Sequence, residues 1–280
     1  MFGQKTAGLL GHPTLMGNID GGQAEYIRVP FGDVNCLLLP SADELPDEKV
    51  LFLSDILPTA WNANELAEVG RDDVVAIWGA GPVGLLAAQC AFARGARRVI
   101  MVDNQAYRLD FAKKILKGVE TVNFSSEAAE KQILRLCKDE PAGAPDCAIE
   151  AVGMHYANSY LHRVEMALGL ETDSPEALNS AIVAVRKGGR IAAIGAYAGF
   201  ANHFHIGAFM EKGLSMRSGQ TPVQKWWREL LDRVRRGELD PSVIITHHLP
   251  LSEAANAYKM FNEKTDNVIK VVLHPPNYGK

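Results

Sequence analysis

The chain has 280 residues and a formal net charge of -4, with 47% apolar and 22% charged residues. That length supports one or two domains with a sizeable core, and the balance is that of a globular protein, not of a disordered or fibrous one. The net negative charge argues against a general nucleic-acid surface, and no run reaches the roughly eighteen apolar residues of a membrane span.

Met1-Phe2-Gly3-Gln4-Lys5 carries one Lys and no long apolar run, so no secretory signal is read there and a cytoplasmic location is the expectation. Gln23 to Pro30, following Gly21-Gly22, and Asn35 to Pro40 are predicted as two short strands. Two such strands do not make a domain, so residues 1–53 are expected to belong to a larger unit. Ser54 to Trp61 reads as a helix-like connection.

The most informative stretch is Val74 to Asp103. Val74-Val75-Ala76-Ile77-Trp78 is an apolar, β-branched run, as required of a strand covered on both faces. Gly79-Ala80-Gly81-Pro82-Val83-Gly84 follows and opens a helix through Ala91; a second strand, Arg98 to Val102, closes on Asp103. In this pattern Gly79 permits the tight turn, Gly81 lets the backbone approach a pyrophosphate, and Gly84 lets the helix pack closely on the strand. Pro82 suits the first helical turn, where its missing N–H costs nothing, and with Val83 it sets the helix N-terminus against the phosphates. Asp103 is placed to accept hydrogen bonds from an adenosine ribose and to repel a 2′-phosphate, which points to NAD as the cofactor.

Alternation continues beyond Asp103. Helices are predicted over Ala106 to Lys117 and Ala128 to Lys138, with strands over Val119 to Phe124 and Asp146 to Gly153. Tyr156 to Leu170 and Ala177 to Val185 read as helices joined by the polar linker at 171–175, then Ile191 to Ala196 and Leu214 to Ser218 as strands five and six. Six strands joined mainly by helical crossovers predict an α/β fold with a doubly wound, parallel Rossmann sheet in the order 3-2-1-4-5-6. The cofactor crevice is then expected over Gly79 to Gly84 and Ala151 to Gly153, including Val152, with Gly195-Ala196-Tyr197 at its far end. The last segment is predicted as a helix over Val223 to Arg236, a strand over Val243 to His248, a helix over Ser252 to Asn262 and a strand over Val268 to Leu273. Arg228, Arg233, Arg235 and Arg236 alternate with Glu229, Asp232 and Glu238, as on a solvated helix face. Cys36, Cys90, Cys137 and Cys147 lack the close spacings of a disulfide framework or zinc knuckle.

With these pieces assembled, the chain resembles a zinc-type medium-chain alcohol dehydrogenase without most of the N-terminal catalytic domain. The segments carrying the resemblance include GGQAEYIRVP, LSDILPTAW, WGAGPVG, IMVDNQAYRLDFAK, RKGGRIAAIGAY and VIKVVLHP. Ser54-Asp55-Ile56, the insertion at 171–182 and Ser218-Gly219-Gln220-Thr221-Pro222 are similar to the glutathione-independent formaldehyde dehydrogenase branch. The resemblance implies that 1–53 is part of a barrel-like, mainly β catalytic domain, 54–222 the NAD-binding domain, and 223–280 a segment returning to the catalytic domain. The family's early Cys ligand, its Gly-His-Glu motif and its four-cysteine lobe have no counterpart here.

The same resemblance assigns individual residues. Asp55 matches a zinc ligand of that branch, with a helix N-cap as the competing reading. Thr59 follows the family's Pro-Thr turn near nicotinamide and is the catalytic candidate, with helix capping as its alternative. Arg108 matches a side chain beside the adenine, against a reading as a solvated helix charge, and Lys270 matches a basic residue reaching the pyrophosphate. His12 lacks the acidic residue of the family motif and is read as a surface histidine. His203 and His205, at a spacing that shares one strand face, are candidate metal ligands but are read as ordinary polar residues because no nearby carboxylate or cysteine completes a set, and His247 with His248 are read as pointing to opposite faces of a strand. The implied function is NAD-dependent hydride transfer between an alcohol or aldehyde hydrate and nicotinamide, with zinc in the complete family. The implied partners are a small-molecule substrate and a second copy of the chain through strand six, with neither nucleic acid nor membrane. The competing reading is a catalytically silent dinucleotide-binding fragment or partner subunit.

Overall fold

A computed structural model describes residues 8, 10–11, 17–153, 172–197, 199–276 and 278. His12, the helix predicted over Tyr156 to Leu170, and Glu171 of the insertion lie outside the described residues. The chain divides into two compact units, one formed by 41–244 and the other by 1–40 with 245–280.

The larger unit is built on a six-stranded parallel sheet in the order β3-β2-β1-β4-β5-β6, as the crossover rule predicts. Its strands are β1 (Val74–Trp78), β2 (Arg98–Asp103), β3 (Glu120–Asn123), β4 (Cys147–Glu150), β5 (Arg190–Ala193) and β6 (Ser215–Ser218). All of β1 and β4 is buried, and with the exception of Glu150 their sequences run apolar instead of alternating. Among the described residues its longer helices are α1 (Ile56–Leu66), α2 (Pro82–Ala93), α3 (Ala106–Ile115), α4 (Ala129–Leu136), α5 (Glu176–Ala184), α6 (Ile206–Glu211) and α7 (Val223–Arg235). Ala129 and Ile133 of α4 and Ala177, Leu178, Ala181 and Ile182 of α5 close one face of the sheet over Val74, Ala76, Ile100 and Ile191.

On α2, the small residues Gly84, Ala87, Ala88 and Ala91 are buried, allowing close approach of neighbouring elements. Helix α1 packs on it, and Asn64 Nδ2 donates to the Ala87 carbonyl at 3.0 Å across the contact. Helix α7 belongs to the larger unit, where Trp226 Nε1 donates to Asn62 Oδ1 and Trp227 Nε1 to the Leu53 carbonyl. It buries Trp226, Leu230, Leu231 and Val234, while Arg233 pairs with Glu229 and Glu238, as expected of a solvated basic face.

The smaller unit corrects the sequence expectation. Neither Gln23 to Pro30 nor Asn35 to Pro40 forms a strand, and Gly32–Asn35 is a single helical turn. Tyr26 is 90% and Leu38 93% exposed, so these alternating apolar residues have no face to cover, and strand propensity without a ladder partner is not enough. Among the described residues of this unit, the sheet is the parallel pair β7 (His247–Pro250) and β8 (Val271–His274), accompanied by α8 (Ala254–Glu263). The predicted strand at 243–248 starts later because Pro241–Ile244 is a 3₁₀ turn, closed by Asp240 Oδ1 accepting from Ser242 N and Oγ. The last strand is likewise displaced from 268–273, since the N–H groups of Ile269 and Lys270 go to Thr246 Oγ1 before the ladder begins.

Candidate functional site

Strand β1 ends on Gly79, which adopts φ +96°, a conformation that disfavours any residue with a side chain. A Cβ on Gly84 would sit 1.8 Å from the Gly79 carbonyl oxygen, so only glycine lets α2 start this close to β1. Gly81 is the N-cap of α2 and Pro82 its first residue; both are partly exposed, as is Val83. The first N–H groups of a helix have no intrahelical acceptor, so this turn presents donors toward an anion.

Asp103, at the end of β2, is buried and holds that turn in place. Its Oδ2 accepts the Ala80 N–H at 2.7 Å and its Oδ1 the Gln105 N–H at 2.8 Å, so the carboxylate joins the glycine turn to the start of α3. Each oxygen keeps one lone pair for a further donor. Arg108 projects from α3 back to the same turn: its Nη1 lies 3.8 Å from where a Cβ of Gly81 would stand, and its Nε donates to the Tyr107 hydroxyl at 3.1 Å.

The turns at the ends of β4 and β5 form the other half. A Cβ on Gly79 would meet the Ala151 oxygen at 3.0 Å and Val152 Cγ2 at 3.2 Å, so the β1 and β4 ends touch at the point where strand order reverses. Gly153 and Gly195 approach with no room for a side chain, a Cβ on Gly195 lying 2.3 Å from the Gly153 nitrogen. Val152 and Ala196 are exposed at this rim and Tyr197 is partly buried.

Glu150 is the residue that the sequence reading passes over, as one more member of the fourth strand. It is fully buried; Oε1 accepts the Val152 and Gly153 N–H groups at 2.7 and 2.8 Å, and its main-chain carbonyl accepts those of Ile194 and Gly195 at 3.0 and 3.1 Å. Burial holds its carboxyl above the usual carboxylate range, opposed by the hydrogen bonds from Gly153 and Val152. Burial, reinforced by the charge of Glu150, likewise raises the neighbouring Tyr197 phenol. The available signal was a lone carboxylate in the otherwise apolar run Cys147-Ala148-Ile149-Glu150-Ala151-Val152.

Asp55 and Thr59 are brought together at the start of α1. Asp55 occupies the N-cap position without capping through its side chain; instead its Oδ1 accepts the Thr59 hydroxyl at 2.9 Å. Among the described residues no three His, Cys, Asp or Glu side chains converge as metal ligands, so those residues do not fit a catalytic zinc, which takes three protein ligands. His203 and His205 lie in a loop and not on a strand; the His203 carbonyl and the His205 N–H both bond to the Asn179 amide. In the smaller unit, His247 pairs with Asp266 and Thr246 while His248 meets His274, so the two neighbours face apart as expected. Lys270 belongs to that unit too, and its carbonyl accepts the Thr246 and His247 N–H groups at the head of β7.

Among the described residues no helix is long and apolar enough to cross a membrane. Residues 82–168 match the family described as zinc-binding dehydrogenase. Over 272 residues the chain is 40% identical to a zinc-type alcohol dehydrogenase-like protein of Schizosaccharomyces pombe, covering 96% of this chain and 62% of that protein. It is 34% identical over 282 residues to the glutathione-independent formaldehyde dehydrogenase of Pseudomonas aeruginosa, covering 94% of this chain and 67% of the relative. Among solved structures, the alcohol dehydrogenase from Thermus sp. ATN1 superposes with a TM-score of 0.78 at 32% identity, covering 96% of this chain and 69% of that one.

Proposed function

We propose, from the premise that this chain belongs to the zinc-type alcohol dehydrogenase family, that it is an NAD-linked oxidoreductase passing a hydride between an alcohol or aldehyde hydrate and nicotinamide. The observation that carries the reading is the glycine cradle at the end of β1, where Gly84 has no room for a Cβ and Asp103 fixes Ala80. In this reading Gly79, Gly81, Pro82, Val83 and Gly84 receive the pyrophosphate on the helix N-terminus. Asp103 accepts from the adenosine ribose, and Arg108, whose Nη1 lies near Gly81, is assigned to the adenine on the family resemblance. Val152, Gly195, Ala196 and Tyr197 line the nicotinamide half, and Lys270 is assigned to the pyrophosphate on the family resemblance.

When bound, the nicotinamide ring supplies the hydride acceptor, and the chain's residues orient it and the substrate. Thr59 commits its own proton to Asp55, leaving its oxygen as an acceptor for a substrate hydroxyl. No step is assigned to zinc, because the described residues do not fit it. The smaller unit, 1–40 with 245–280, is assigned to the catalytic domain on the family resemblance. Strand β6 stands at the sheet edge with all four residues exposed, which supports a homodimer paired through it. Four free cysteines support a reducing, cytoplasmic location.

Titration with NADH, followed by nicotinamide fluorescence, together with NAD reduction in the presence of formaldehyde and short primary alcohols, tests the reading. Saturable binding of one NADH per chain with substrate-dependent reduction is expected; a flat titration overturns it.

A further inference from the structure

We infer that Glu150 is the positioning residue for the nicotinamide half of the dinucleotide site, tying together the two turns on which that half would rest. The inference depends on the dinucleotide reading above and goes beyond it.

Four main-chain N–H groups converge on this one residue. Those of Val152 and Gly153, from the turn after β4, go to its side-chain Oε1; those of Ile194 and Gly195, from the turn after β5, go to its carbonyl. The second carboxyl oxygen, Oε2, is buried and faces the buried Tyr197 hydroxyl, with which the carboxyl interacts. A Cβ on Gly195 would lie 2.7 Å from Oε2, so the carboxyl fills the space directly beneath the second turn. A fold needing only a filled strand end would use an apolar side chain there, since taking a carboxyl out of water is costly. Its place decides what it serves. A doubly wound sheet binds a dinucleotide across two halves, and the half containing the glycine turn and Asp103 takes the adenosine end. The β4 and β5 turns belong to the other half, and Glu150 sits under both.

The test compares NADH with ADP-ribose, which lacks the nicotinamide ring, on the full chain. In Glu150→Leu the Val152 and Gly153 N–H groups lose their acceptor, and the Kd for NADH is expected to rise about tenfold or more, while that for ADP-ribose stays within about twofold. Glu150→Gln keeps an acceptor at Oε1 and is expected to hold NADH within about threefold of the parent chain. Should Glu150→Leu fail to fold, Glu150→Asp withdraws the carboxyl by one methylene and is expected to show the same contrast between the two ligands. Unchanged NADH affinity, or equal weakening of both ligands, overturns the positioning role alone. Failure of the parent chain to bind ADP-ribose overturns the dinucleotide reading and this inference with it.

Discussion

Oδ2 of Asp103 accepts the main-chain N–H of Ala80 at 2.7 Å, so the acid at the end of β2 fixes the turn at the end of β1. A residue expected to choose the cofactor is therefore also part of the cradle that holds it. The parent chain is expected to bind NADH more tightly than NADPH, because a 2′-phosphate would face this buried carboxylate. Asp103→Asn should narrow that preference while retaining an acceptor for Ala80. Asp103→Ala leaves the Ala80 and Gln105 N–H groups without their acceptors and should cost about 1–3 kcal/mol for each group left unpaired. Fluorescence titration and urea denaturation read the two effects separately, and equal NADH and NADPH affinities in the parent chain would remove the selective role of Asp103.

Gly84→Ala places a methyl group 1.8 Å from the Gly79 oxygen, against backbone that has nowhere to move without opening the cradle. A loss of about 1–3 kcal/mol in stability is expected, accompanied by weakened dinucleotide binding. Gly207→Ala in α6, where nothing lies within 4 Å of the new Cβ, is the control and should be neutral or slightly stabilising. Chemical denaturation of the two variants side by side checks the contrast; similar midpoints would mean that the close approach is not required.

Strand β6 is paired with β5 on one side, and Met216 remains 38% exposed. Pairing of two such edges around a two-fold axis predicts a dimer at micromolar concentration. Met216→Lys should shift sedimentation toward the monomer by introducing like charges across that axis. A parent chain that sediments as a clean monomer would rule out association through this edge.

Glu140 is held by Arg97 and Arg98, and these hydrogen bonds lower its carboxyl from an ordinary value of 4.5 to about 2. A carboxyl depressed in the folded state contributes its stabilisation in full above the unfolded value and loses it as pH falls through the folded one. Stability should therefore decline between about pH 4.5 and 2, and Glu140→Gln should flatten that decline while lowering stability at neutral pH. Denaturation midpoints measured across this range provide the check; parallel pH profiles for the parent and variant chains would exclude the pairing as the cause.

The sequence alone determined the sheet and its cradle, because both depend on local pattern. The unbroken apolar run of β1, the glycine spacing from Gly79 to Gly84 and the terminal Asp103 each specify a nearby conformation, and the handedness of crossovers then leaves one strand order. Tertiary structure decided what depends on distant partners. Gln23 to Pro30 alternates like a strand, yet without a neighbouring ladder it forms none, since a strand's main-chain groups must be paired by another segment. Asp103 reads in sequence as a ribose acceptor, and only the fold shows it already bonded to Ala80, because β1 and β2 become neighbours at that end. Glu150 reads as a strand residue. Its role appears when the turns after β4 and β5 fold over it, the Val152 and Gly153 N–H groups reaching its carboxyl and those of Ile194 and Gly195 its main-chain carbonyl.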